Sequence, residues 1–117
     1  MPKPNILFLC ADQMRGDAMR CAGNDAIHTP HLDRLAARGA RFTNAFSVDP
    51  VCVPARATMI TGNYPHRCTG DKRNSGGVKP DQVVMPRYFR EHGYQTYASG
   101  KLHFVPYAKP GTPRLTH

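Results

Sequence analysis

The chain has 117 residues, enough for one domain, and no internal repeat or low-complexity run divides it. Its formal charge of +8 raises the question of a nucleic-acid partner, but the basic residues are scattered from Lys3 to Arg114, only Lys72 and Arg73 are adjacent, and the aromatics do not interleave with them as a stacking platform requires, so no nucleic acid is expected. No apolar run is long enough to cross a membrane, Pro2 and Pro4 around Lys3 do not read as a secretory signal, and Cys10, Cys21, Cys52 and Cys68 form no C-x-x-C pair, so the expectations are a cytoplasmic protein, no membrane partner, no disulfide framework and no zinc site.

The first element is Asn5 to Ala11, a short apolar run between Pro4 and Asp12 that predicts a strand buried on both faces of a parallel sheet. Ligands bind beyond the carboxyl ends of strands in open α/β sheets, which is where Asp12 and Gln13 would sit, and their oxygen donors suit a hard divalent cation. Next, Thr29 to Gly39 combines a capping threonine, Pro30 at the first helical position, Asp33 in the early turn and a glycine past the end, which predicts a helix. Leu32, Leu35 and Ala36 fall at helical spacing and predict a core-facing stripe, with Arg34 and Arg38 as solvated charges. Residues 41–48 are expected as a short strand or extended loop.

A second helix is predicted from Pro54 through Arg56, Met59 and Ile60 to a stop at Gly62, with Cys52 just before it. The free N–H groups and positive dipole end of such a helix stabilise an anion, and Arg56 adds a planar donor fork to the same place. Met85 to His92 reads as a third helix stopped by Gly93, with Phe89 in the core and His92 exposed. Tyr94 to Ala98 is aromatic and β-branched enough to predict a strand that ends at Gly100, so that Lys101 and His103, two residues apart in extended chain, share one face. Residues 105–117 hold three prolines and no acid.

Cys52-Val53-Pro54-Ala55-Arg56 resembles the C-x-P-x-R signature of type I sulfatases, and the Asp12-Gln13 and Gly100-Lys101-Leu102-His103 segments resemble two further motifs of that family, in the family's order. The resemblance implies the amino-terminal part of a three-layer α/β/α alkaline-phosphatase-like fold, mostly parallel sheet, with residues 1–117 forming an incomplete piece of the catalytic domain. It implies that Cys52 becomes formylglycine through a formylglycine-generating enzyme, and that Asp12, Gln13 and Cys52 in that form are ligands of calcium or another divalent cation. Arg56 would then hold the formylglycine oxygens or the anionic substrate, Lys101 would neutralise a sulfate oxygen, and His103 would exchange a proton with the hydrated aldehyde. Gln13 replaces the second acid of the commoner Asp-Asp pair, and Ala55 stands where serine is frequent.

The implied activity is hydrolysis of a sulfate ester. The same motifs also fit a phosphonate or phosphate ester hydrolase of the same superfamily, or a non-catalytic remnant, because the further metal ligands of the family are not found after His103. The chain by itself is expected to be truncated and inactive, and the excess positive charge to be what remains without an acidic carboxyl-terminal part.

Overall fold

The computed structural model describes residues 3–70, 74 and 76–104, and the chain divides into two compact units, residues 1–45 and 46–117. The Lys72-Arg73 pair and the proline-rich 105–117 segment lie outside the described residues.

In the first unit, a 3-10 turn at Arg20–Ala22 is closed by Gly23, whose φ of 99° is natural only for glycine and whose N–H donates to the Arg20 carbonyl at 2.9 Å. Helix α1 spans Pro30–Arg38, as its proline and flanking residues predict. Thr29 does not cap it by side chain; its carbonyl accepts the Asp33 N–H at 2.9 Å. The Thr29 hydroxyl instead accepts the Arg20 N–H at 2.9 Å and donates to the Asp33 carboxylate at 3.0 Å, and that carboxylate also accepts the Cys21 N–H at 2.9 Å. The 3-10 turn is thus fastened to the first turn of α1 by one hydroxyl and one carboxylate.

These contacts set the charge states. Burial pushes the Asp33 carboxyl up, but the Cys21 N–H, the Thr29 hydroxyl, the Cys21 thiol and the Arg20 charge outweigh it, leaving it below its ordinary value. Burial, with Asp33 beside it, pushes the Cys21 thiol up.

Helix α2 spans Cys52–Thr61, α3 spans Pro65–Cys68 and α4 spans Met85–Glu91; α2 packs on both of the others. Val53, Ala57 and Ile60 recur at helical spacing and are buried with Cys68, so the core of the second unit lies along one face of α2. Gly62 ends α2 with φ 70°, its N–H on the Thr58 carbonyl at 2.8 Å. Gly93 follows α4, and Phe89 is half-buried, edge-on to Tyr94 at 5.1 Å, while His92 is exposed as expected. The one-turn α3, opened by Pro65 and held by the Thr69 hydroxyl on the Pro65 carbonyl at 2.9 Å, was not among the predicted elements.

The predicted strands are the chief correction. No strand occurs among the described residues, so the α/β class expected from the strands at residues 5–11 and 94–98 is not seen here, and residues 41–48 take the loop alternative. A parallel strand is stabilised by a ladder on each edge and apolar cover on each face, and these segments have neither: Leu7 is 82% exposed, Phe46 88% and Tyr97 87%. The stripe on α1 departs in the same way, since Leu32 and Leu35 are exposed.

Candidate active site

Cys52 is the first residue of α2, following the extended Val51, whose N–H is held by the Asp49 carboxylate at 2.8 Å. The helix starts with the Ala55 N–H on the Val51 carbonyl at 3.0 Å. Pro54 has no N–H to offer, and the Val53 N–H is donated to Oδ1 of Asn74 at 3.0 Å. The expectation of several free amides for an anion is therefore narrowed; the helix start offers its dipole end, while the Val53 amide is already used.

Two of the predicted residues meet here. The Lys101 ammonium nitrogen lies 3.9 Å from the Cys52 sulfur although 49 residues separate them. Arg56, one turn beyond Cys52, is only 9% exposed, and its Nη1 donates to the main-chain carbonyl of Lys101 at 2.7 Å. At least one arm of the guanidinium thus serves the backbone that carries Lys101, a role that spacing alone did not suggest.

His103 departs from the predicted geometry. Its φ is 49°, in the left-handed region, so the rule that residues two apart share a face, which assumes extended chain, does not hold at this point. Both of its ring nitrogens are buried.

Asp12 and Gln13 belong to the first unit, where they form an exposed bend and Gln13 has φ 56°. Among the described residues, Gln13 and His103 are the two non-glycine residues with positive φ. Left-handed backbone is uncommon outside glycine and gathers at functional sites, so two positions singled out by sequence motif are also singled out by conformation.

The oxygen donors of Asp12 and Gln13 suit a hard cation in kind but not in number, because such an ion takes about six or more oxygens. No group of three or more His, Cys, Asp or Glu side chains that could hold a metal comes together among the described residues. The residue that sequence reasoning missed is Asn74. Standing before Ser75-Gly76-Gly77, it reads as ordinary turn composition, and nothing in its spacing points to α2.

Comparison with known proteins agrees with the motifs. The sulfatase family profile matches residues 4–114. The chain is 45% identical over 101 residues to an ulvan-active sulfatase of Formosa agariphila, covering 86% of this chain and 20% of that protein. It is 37% identical over 103 residues to an N-acetylglucosamine-6-O-sulfatase of Bacteroides thetaiotaomicron, covering 88% and 18%, and 39% identical over 103 residues to a choline-sulfatase of Rhizobium meliloti, covering 88% and 20%. The chain therefore spans about a fifth of the length of these curated relatives. No solved structure matches it.

Proposed function

Because this chain belongs to the sulfatase family, we propose that it carries the nucleophile of a sulfuric ester hydrolase, with Cys52 converted to formylglycine by a maturing enzyme. The Cys52 sulfur stands where the oxygens of the hydrated aldehyde would be. One hydroxyl oxygen of the hydrate attacks the ester sulfur, and the bond from sulfur to the alcohol oxygen breaks as the alcohol leaves with a proton. The second hydroxyl then gives up its proton, its electron pair restores the carbonyl, and the carbon–oxygen bond to sulfate breaks. A thiol lacks this second hydroxyl and would stay sulfated.

The observation that carries the reading is the Lys101 ammonium 3.9 Å from Cys52 at the positive end of α2. A fixed cation there stabilises the sulfate oxygens where charge develops. Arg56 holds the main chain of Lys101 in place, and His103 is assigned the proton exchange with the hydrate. Asp12, Gln13 and the modified Cys52 would contribute oxygens to a divalent cation, calcium being the expectation. Such an ion would neutralise negative charge on the bound ester.

The test uses the full-length enzyme that contains this sequence, produced with a formylglycine-generating enzyme. Mass spectrometry should show sulfur lost and carbonyl oxygen gained at position 52, and hydrolysis of an activated aryl sulfate should vanish in Cys52→Ala. Turnover that survives this substitution, or faster hydrolysis of an aryl phosphonate or phosphate, would overturn the assignment.

A further inference from the structure

The N-terminus of α2 is unusual in what holds it. Its N-cap is Val51, which has no side-chain oxygen to accept an amide, and Pro54 removes one donor of the first turn. The acceptor comes from 21 residues away, as Oδ1 of Asn74 on the Val53 N–H at 3.0 Å. Val53 itself is fully buried and directly follows the nucleophile Cys52.

The loop that supplies Asn74 is itself anchored twice. The Lys79 N–H donates to the Cys68 carbonyl at the end of α3 at 2.8 Å, and the Val78 N–H donates to the Phe104 carbonyl at 3.0 Å. Phe104 follows His103 directly and lies three residues from Lys101. Residues 74 and 76–79 therefore bridge the two segments that must stay in register, the one carrying Cys52 and the one carrying Lys101 and His103.

We infer that Asn74 is a positioning residue of the sulfatase reaction: by accepting the Val53 N–H it fixes the first turn of α2, and with it the reacting carbon at position 52, relative to Lys101. This rests on the formylglycine reading of Cys52. The acceptor oxygen carries the role, so aspartate, which keeps that oxygen, should replace asparagine where alanine cannot.

Steady-state kinetics of the full-length, matured enzyme on an activated aryl sulfate test this. Asn74→Ala should lower kcat by about 10- to 100-fold, since small misplacement of a reacting group is that costly, with KM changed by less than about threefold. Asn74→Asp should keep kcat within about threefold of the parent, its added negative charge appearing as a raised KM for the anionic ester. A parental kcat in Asn74→Ala overturns the inference. So does a kcat in Asn74→Asp as low as in Asn74→Ala, because the NH2 group would then be the part that matters. If Asn74→Ala does not fold, Asn74→Ser takes its place; its shorter acceptor arm should give an intermediate kcat, and a parental kcat overturns the role. Cys52→Ala in the same assay separates the two claims: retained turnover defeats the formylglycine reading and this inference with it, whereas lost turnover beside a parental Asn74→Ala defeats this inference alone.

Discussion

Arg56 and Lys101 are joined through a hydrogen bond to the Lys101 carbonyl but answer to different forces. The Lys101 side chain is exposed and reaches Cys52, so Lys101→Ala removes a cation while leaving its main-chain carbonyl on Arg56. We expect kcat to fall about 10²-fold or more, the scale of one lost preorganised donor, with thermal unfolding unchanged. Arg56 is buried, and Arg56→Ala removes a hydrogen bond made by a charged donor, at a cost of about 1.5–3 kcal/mol. Its unfolding midpoint should therefore drop along with kcat. Equal midpoints for the two variants would show that the Arg56 hydrogen bond contributes nothing to the fold. Motif spacing made Cys52, Arg56 and Lys101 legible as a group, because chemistry restricts which residue types serve an anion. It could not reveal that Arg56 acts through a carbonyl, since every residue has one, nor the left-handed φ of Gln13 and His103, since neither residue type requires it.

Among the elements, α1, α2 and α4 were readable because a helix satisfies its own backbone and announces its ends locally, with Pro30 at the start of α1, Gly62 after α2 and Gly93 after α4. The segments 5–11 and 94–98 carry strand-like composition, yet a strand is completed by other strands, and composition says nothing about whether they are at hand. The fastening of the 3-10 turn to α1 escaped notice for a related reason: Thr29 looks like a cap, but its hydroxyl is engaged with Arg20 and Asp33. That fastening gives a pH dependence. The Asp33 pKa is lowered in the folded chain, so its contribution is fully present above the unfolded carboxylate value near pH 4 and is lost as pH falls through the lower folded value. Hydrogen exchange of the Cys21 amide should accelerate in that acid window relative to unstructured amides, and Asp33→Asn should flatten this dependence. Equal acid profiles in parent and variant would mean that the carboxylate does not hold the turn.

At the scale of the whole molecule, family membership and exposed apolar surface point the same way. Ile6, Leu7, Phe8, Leu9, Phe42 and Phe46 are all more than half exposed, a burden that soluble chains do not usually leave uncovered. The 117-residue chain on its own should therefore self-associate and bind a hydrophobic dye, and Leu7→Lys with Leu9→Lys should reduce both effects. A monodisperse monomer without dye binding in sedimentation and fluorescence measurements would contradict this. The sulfatase family implies an alkaline-phosphatase-like α/β fold, whereas the described residues show helices and loops, so the fold class was legible through the motifs and not through the composition of single segments. The Arg56 bond to a carbonyl has one more consequence, for how such a sequence can drift. Every amino acid brings the same carbonyl to position 101, so charge and reach there can be retuned over generations without loosening the scaffold, whereas position 56 has no such freedom. Laboratory selection for folding alone should accordingly accumulate changes at 101 and leave 56 untouched.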